Sequence, residues 1–459
     1  MSIDFLYEIY KKRNEISTDS RRIADGCLFF ALKGETFDGN RFAAQALKDG
    51  AAVAVVDDAS IVPVGDELSD AQPQGHYILV PDVLATLQAL AAHHRQQFSS
   101  PVIQVTGTNG KTTTKELLAA VLSRKYNVLY TQGNLNNHIG VPLTLLRLRP
   151  EEHEIAIIET GANHPGEIAL LANIVNPDYG LITNVGRAHL EGFGSFEGVK
   201  RTKGELYDYL LSKSGARIFA CVSSPDLQSM LAVRCIDIDG EKCITYAHEG
   251  EAAASTLCTG KVASCNPTLN VSWQQHAGST HHAVTQLIGD YNLDNVLAAI
   301  CVGLHFGVAT DEINEALREY KPSLGRSELR QTATNRLIVD AYNANLTSML
   351  AALDNFSRIE HEHKMVILGA MRELGETSNE CHCQVLQRAF TCGAHCLWFV
   401  GKEFTEVLAC VEKPSDLDIR TFEDVDAVKQ AIASGKPNGQ LILIKGSNST
   451  RLHQLPEIL

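Results

Sequence analysis

Thr106-Gly107-Thr108-Asn109-Gly110-Lys111-Thr112-Thr113-Thr114-Lys115-Glu116 follows the apolar run Val102-Ile103-Gln104-Val105 and precedes Leu117, Leu118, Val121 and Leu122, which share one helical face. That is the order of a buried strand, a glycine-bearing turn and a helix opening on Lys-Thr. Backbone N–H groups at such a helix start, with the positive end of the helix dipole, cradle phosphate oxygens. On this layout Lys111 reaches the β- and γ-phosphates of a nucleoside triphosphate, and the Thr112 hydroxyl ligates Mg²⁺. Thr106, Gly107, Thr108, Asn109, Gly110 and Thr113 complete the expected nucleotide cradle. The general motif G-x-x-x-x-G-K-[ST] has its first glycine where this chain has Val105, so only G-x-x-G-K-T, from Gly107, is present. A plain glycine turn between strand and helix is the competing reading.

The chain around this stretch has 459 residues, too many for one ordinary core and enough for about two to four domains. Its 44% hydrophobic and 20% charged residues are those of a globular protein in water. A formal net charge of −14 argues against a nucleic-acid binder, whose footprint is basic. It leaves anionic substrates open, because a few local cations suffice for them. Asp4, Glu8, Lys11, Lys12, Arg13 and Glu15 break up the start of the chain, so no signal peptide is read there. No apolar run is long enough to span a bilayer, and the expected location is the cytoplasm. The 12 cysteines are scattered, which argues against a disulfide framework.

Upstream, Cys27 to Leu32 and Ala51 to Val56 read as buried strands with a short helix, Phe42 to Leu47, between them. Tyr77 to Val80 is a third strand, before a helix from Val83 to about Phe98. Arg21, Lys33 and Arg41 flank glycine-containing turns, as a diphosphate site requires, though solvated surface cations present the same pattern. Ser99-Ser100-Pro101 reads as a linker.

Downstream, Asn134-Leu135-Asn136-Asn137-His138 is a polar, turn-rich stretch before a helix. Ile155 to Ile158 is a strand that delivers Glu159 at its carboxyl end, and Tyr179 to Thr183 delivers Asn184 and then His189. Alternating strands and helices predict a mostly parallel α/β sheet. In such sheets ligands bind outside the carboxyl ends of the strands, so Glu159 and His189 belong on the edge of the phosphate loop. Glu159 suits Mg²⁺; a histidine suits it less, and an isolated one is often structural. Lys203, in a helix over about Phe196 to Leu211, reads equally as a surface lysine. From about Gly215 to Thr280 the Cys-, Ser- and Thr-rich text reads as antiparallel strands at a sheet margin. Asn292 and Asn295 share a helix face and suit either a base edge or a helix cap.

Pro322-Ser323-Leu324-Gly325-Arg326 reads as a second linker. Beyond it strands at Leu337–Val339, Val366–Leu368, Leu397–Val400 and Leu441–Ile444 predict another α/β unit, with Asp340 at a strand end. Cys381, Cys383, Cys392 and Cys396, with His382 and His395, invite a zinc reading. Their spacings match no usual ligand pair, and a helix followed by a buried strand accounts for them.

The stretches DSRRIADGCLFFALKGETFDG, TGTNGKTTTKE, NLNNHIGVPLTLL, IIETGANHPGEI, TNVGRAHLEGFGSFEGVKRTKGE, DAYNANLTSM and LGAMRELGETS, in this order, resemble the Mur ligase family from about residue 17 to 450. The likeness is strongest to the MurF type, which joins D-alanyl-D-alanine to UDP-MurNAc-tripeptide. It implies a small N-terminal α/β UDP-binding domain (1–98), a central P-loop ATPase with a mostly parallel sheet (99–322) and a C-terminal Rossmann-like domain (323–459). By resemblance, Lys111 and Thr112 bind ATP phosphates and Mg²⁺, while Glu159 and His189 hold metal. Lys203 matches a lysine that becomes carbamylated and so bridges metal. Asn292 and Asn295 match positions near the adenine, Arg326 and Asp340 contacts to phosphate and ribose, and Ser20, Arg21, Lys33 and Gly34 the UDP site. The implied reaction is attack of a tripeptide carboxylate on the γ-phosphate, then aminolysis of the acyl phosphate by the dipeptide. A monomer is expected, with neither nucleic acid nor membrane as partner. Two residues depart from the family pattern. Asn40 stands where histidine is frequent, bearing on a UDP-side contact, and Asn448 where arginine is common, bearing on a C-terminal substrate contact. A MurE-type ligase and a folylpolyglutamate-synthetase-like ligase are the nearest alternatives. The first typically carries an Asp-Asn-Pro-Arg run, absent here; the second lacks an N-terminal domain like residues 1–98. A nucleotide-binding regulator without catalysis is the reading from another class, and the set Lys111, Glu159, His189 and Lys203 argues against it.

Overall fold

The computed structural model describes residues 1–459 except Pro73, His189, Ala277, Ser323 and Leu324, and the side chain of Leu190. Part of the expected second linker and the expected metal ligand His189 thus lie outside the described residues. Among those described, the strands form three sheets of four, nine and six strands.

The nine-stranded sheet is built outward from Val102–Thr106. That strand lies between Ile155–Glu159 and Tyr179–Ile182, parallel to both. The chain first builds to one side of it, through Val128–Tyr130 and Ile155–Glu159. It then builds to the other, through Tyr179–Ile182, Arg217–Cys221 and Cys243–His248. The strand that feeds the phosphate loop therefore sits where the strand order reverses, and the crevice there opens at the carboxyl ends. Successive residues face opposite sides. Ile103 and Val105 join one buried cluster with Leu117, Leu118 and Val121 of the following helix, while Val102 joins the other. With both faces covered, the strands read as continuous apolar runs.

The four-stranded N-terminal sheet, Ile16–Ser17, Leu28–Phe30, Val53–Val56 and Tyr77–Leu79, is parallel throughout. Its core runs without a break into that of the central unit, for Phe30, Val55 and Leu87 pack in one cluster with Val141, Leu145 and Ile158. Buried Arg95 fastens the two: its Nε donates to the Val175 carbonyl at 2.9 Å, and its Nη2 pairs with Asp178 at 2.9 Å. The six-stranded C-terminal sheet orders its strands Glu328–Gln331, Arg336–Asp340, Leu441–Lys445, Lys364–Gly369, Cys396–Val400 and Asp418–Phe422; all pairings are parallel but the first.

One expectation needs correction. Arg217–Cys221 and Cys243–His248 are parallel strands continuing the main sheet, with a helix, Pro225–Val233, between them. Only Cys258–Cys265, Thr268–Gln275 and Thr280–Ile288 form the antiparallel margin. Cysteines hid the crossover: Cys221, Cys243 and Cys258 are buried and act as small apolar residues. All 12 cysteines are free thiols.

Candidate active site

A cavity of about 840 Å³ lies between the carboxyl edge of the central sheet and the C-terminal unit. Gly107 to Thr113 line its floor, Glu159 and Lys203 one wall, Asn292 and Asn295 another, and Arg326 and Asp340 the far side. Two glycines make the loop possible. At Gly107 (φ +144°) a Cβ would meet Thr183 Oγ1 at 2.0 Å, and at Gly110 (φ +77°) it would meet Asn295 Oδ1 at 2.6 Å. The loop is also tied from outside: the Thr108 N–H donates to the Asn184 carbonyl and the Asn109 N–H to Asn184 Oδ1, both at 2.9 Å. Thr114 Oγ1 donates to Asn295 Oδ1 at 2.9 Å, and Asn295 Nδ2 donates to Asn292 Oδ1 at 2.8 Å. Asn292 and Asn295 therefore brace the loop from behind, and neither side chain caps the helix Leu293–His305.

Lys111 Nζ lies in the bend of the loop, donating to the Gly107 and Thr108 carbonyls at 2.8 and 2.9 Å. Burial pushes its ammonium below the ordinary lysine range, with Glu159 opposing the shift. Glu159 is buried. Its Oε1 accepts from Thr112 Oγ1 at 3.1 Å and from Asn136 Nδ2 at 2.8 Å, while Oε2 has no hydrogen-bond partner among the described residues. Lys203, from the helix Phe196–Ser212, is 3% exposed, with Nζ 5.4 Å from the centre of the Phe193 ring. Burial first, then the charge of Lys111, lower its amine to about 7. Arg326 stacks on Tyr342, 3.6 Å from the ring centre, and its buried Nε has no partner among the described residues. Asp340 pairs with Lys445 from the adjacent strand.

Thr106 does not line the cavity. It ends the strand, and its hydroxyl donates to the Thr160 carbonyl at 2.8 Å. Ser20, Arg21, Lys33 and Gly34 lie on the N-terminal unit, away from the cavity lining. There Arg21 pairs with Asp19 at 2.8 Å and Lys33 with Asp57 at 2.8 Å. Asn40, one of the two departures from the family pattern, organises this corner. Its Nδ2 donates to Asp38 and Asp57, each at 2.8 Å, and its Oδ1 accepts the Asp57 N–H at 3.1 Å. An Asn40→Ala variant removes the amide from two half-buried carboxylates and is expected to lose about 1–3 kcal/mol in urea unfolding. Asn448 is exposed in a short turn, Asn448–Thr450, and is not among the cavity residues.

Sequence reading missed Asn136, which aims the Glu159 carboxylate, and Asn345, which joins the two units. Asn345 Oδ1 caps the helix Leu346–Arg358 by accepting the Ser348 N–H at 2.9 Å. Its Nδ2 donates across to Asn109 Oδ1 at 2.7 Å. Aspartate at this position keeps the cap but cannot donate, and sets a charge against the loop. Asn345→Asp is thus expected to cost about 1–3 kcal/mol in urea unfolding and to cut kcat/KM for ATP about tenfold or more. Among the described residues Cys381, Cys383, Cys392, Cys396, His382 and His395 do not gather around one point. His382 is a core histidine, its Nε2 accepting the Met371 N–H at 3.1 Å.

With the geometry in place, its relatives are informative. The family model for the Mur ligase middle domain matches residues 105–303, that for the Mur ligase glutamate ligase domain residues 325–448, and that for the family's catalytic domain residues 13–95. UDP-N-acetylmuramoyl-tripeptide–D-alanyl-D-alanine ligase of Escherichia coli K12 is 38% identical over 391 residues, which is 84% of this chain and 81% of that protein. The crystal structure of MurF from Acinetobacter baumannii superposes with a TM-score of 0.81 at 30% identity, covering 96% of this chain and 92% of that one. MurF ligase from Thermotoga maritima, solved in complex with ADP, gives 0.81 at 26% identity over 97% of each chain. Sequence, domain order and three-dimensional structure agree: this chain belongs to the Mur ligase family.

Proposed function

We propose that this chain is an ATP-dependent ligase that joins D-alanyl-D-alanine to UDP-N-acetylmuramoyl-tripeptide in peptidoglycan precursor synthesis. One observation carries the reading. The phosphate loop, the bare Glu159 oxygen and the Lys203 amine open onto a single cavity, in a chain that matches ligases of this type along most of its length. ATP as the energy source is supported by the ADP bound to the Thermotoga maritima relative.

The donors fit Mg²⁺, which takes hard oxygen ligands. Glu159 Oε2 is buried without a partner among the described residues, and the Thr112 hydroxyl bonds the same carboxylate. Thr112, Glu159 and a carbamylated Lys203 would hold the ion, with His189 as the fourth expected ligand. When bound, Mg²⁺ neutralises charge on the phosphoryl group in transfer. The carbamate forms when the neutral Lys203 amine adds to CO₂ and loses a proton, which replaces a cation by an oxygen donor.

The reaction needs two displacements. A carboxylate oxygen of the tripeptide attacks the γ-phosphorus of ATP, ADP leaves, and an acyl phosphate forms. The dipeptide amine then attacks the acyl carbon, gives up a proton, and phosphate departs as the amide forms. The chain's own part is electrostatic and positional. Lys111 and the N-terminal end of the helix Lys111–Leu122 face the phosphates and offset the repulsion between anionic nucleophile and anionic phosphoryl group. Arg326, whose Nε has no partner among the described residues, is assigned to a phosphate oxygen, and Asp340 to the ribose. Ser20, Arg21, Lys33 and Gly34 are assigned to the UDP group, and Asn292 and Asn295 to the adenine side. We further propose that the chain acts as a monomer in the cytoplasm, in keeping with ATP and UDP-sugar substrates.

Phosphate release is expected only with both UDP-MurNAc-tripeptide and D-alanyl-D-alanine present. Comparing the diaminopimelate and lysine tripeptides then fixes the third residue. Release as fast without the dipeptide, or supported only by free diaminopimelate or lysine, would sink the assignment.

A further inference from the structure

Three side chains distant in sequence meet outside the nucleotide cavity, on the same carboxyl edge of the central sheet. Cys221 ends the strand Arg217–Cys221, His248 ends its parallel neighbour Cys243–His248, and Asp294 stands in the first turn of the helix Leu293–His305. His248 Nε2 is 2.7 Å from Asp294 Oδ1, and Cys221 Sγ is 3.8 Å from the same oxygen. Sulfur, nitrogen and oxygen all lie within 4.8 Å of one another, and none of the three residues lines the cavity described above. We propose that Cys221, His248 and Asp294 form a Zn²⁺ site that pins the helix Leu293–His305 to the ends of the two strands.

The donor chemistry selects the ion. Thiolate, imidazole and carboxylate together suit a borderline-soft metal and not Mg²⁺. Donors around a tetrahedral zinc lie about 3.3–3.6 Å apart, given bonds of about 2.0–2.3 Å. The sulfur–oxygen separation already approaches that span, and the nitrogen–oxygen pair needs to open by less than about 1 Å. The imidazole is also oriented for the task. Its Nδ1 lies 3.8 Å from Glu251 Oε2, too long for a hydrogen bond but close enough for one after a small side-chain shift, which would leave Nε2 for a metal. His248 and Asp294 are half-exposed, so water can reach the ion and complete its shell.

A nucleophilic reading fits less well. The sulfur faces the carboxylate and not the imidazole, and burial, with Asp294 adding to it, pushes the thiol well above the ordinary range. Metal entry replaces the thiol proton, which is released to water. The proton on His248 Nε2 is displaced as well, to Nδ1 from the neutral ring or to water from the protonated one, so that a neutral imidazole binds the metal.

The test uses full-length protein stripped by a chelator, then titrated with Co²⁺ in excess Mg²⁺ while the thiolate-to-cobalt charge-transfer band is followed. One Co²⁺ per chain with that band, displaced by Zn²⁺, is expected. Cys221→Ser is expected to abolish the band, and His248→Ala, a change at a half-exposed side chain, to weaken binding at least about tenfold. Changing both exposed thiols, Cys235→Ser with Cys410→Ser, is expected to leave the band intact. Absence of the band in the unaltered protein, its survival in Cys221→Ser, undiminished affinity in His248→Ala, or its loss with the exposed thiols would each overturn the proposal.

Discussion

Replacing Lys203 by arginine is expected to lower kcat by about a thousandfold or more, although the positive charge is kept. Arginine cannot add CO₂ at neutral pH and so cannot supply an oxygen donor beside Glu159. Lys203→Met, of matching length, tests the same point without a buried charge and is expected to be equally inactive with an unchanged or higher melting temperature. Full activity in Lys203→Arg would rule out the carbamate. The pH dependence has a definite sign. An ordinary lysine, at 10.5, is neutral in about one molecule in three thousand at pH 7, whereas an amine lowered to about 7 is neutral in about half. Only the neutral amine reacts with CO₂, and the proton competes with it. At limiting CO₂, activity is therefore expected to fall as pH drops through 7 and to be restored by added bicarbonate. Neither Lys203 variant should respond, and the mass of the intact native protein, with and without bicarbonate, reports the adduct directly.

Lys203 also shows where sequence reasoning reaches its limit. Its residue type and helix were legible, but burial decides its chemistry, and burial comes from packing against Phe193 and beside Lys111 across the site. The strand, turn and helix around Gly107 were legible because each is a local pattern: two alternating apolar faces, a positive-φ glycine and a periodic helical stripe. Glu159 was legible for a related reason, since ligands bind at the carboxyl ends of the strands in such a sheet. Asn345 was not. Its bond to Asn109 joins residues 236 positions apart, and nothing local distinguishes it from any helix cap. The edge strands Glu328–Gln331 and Asp418–Phe422 were invisible too, because they are largely solvent-facing and carry no apolar run. Cys221, His248 and Asp294 likewise have no spacing to betray them; the sheet order brings them together. The resemblance covered some of this ground, yet at Asn40 it pointed to a departure whose sense only the structure supplies. The amide there bridges Asp38 and Asp57 and thereby sets the partner of Lys33.

Glu159→Gln is expected to reduce kcat by about a hundredfold to a thousandfold and to raise the Mg²⁺ concentration needed for half-maximal rate by about tenfold or more. The change preserves shape. The glutamine oxygen can still accept from Thr112 and Asn136, as Oε1 does now. What it alters is the other oxygen, buried and without a partner among the described residues, which becomes an NH₂ group with no lone pair for a cation. A side chain there only to brace the loop gains little from a second oxygen without a partner among the described residues, since an unmatched buried acceptor costs about 1–3 kcal/mol. The buried NH₂ is left as unmatched as the oxygen was, while a buried charge is removed, so the melting temperature in the absence of Mg²⁺ is expected to change little. Stability and activity should thus move apart, and the gap should close as Mg²⁺ is removed from the unaltered protein. A variant that loses stability while keeping its Mg²⁺ dependence would instead make Glu159 a brace for Thr112 and Asn136, and would take the metal reading of this edge with it.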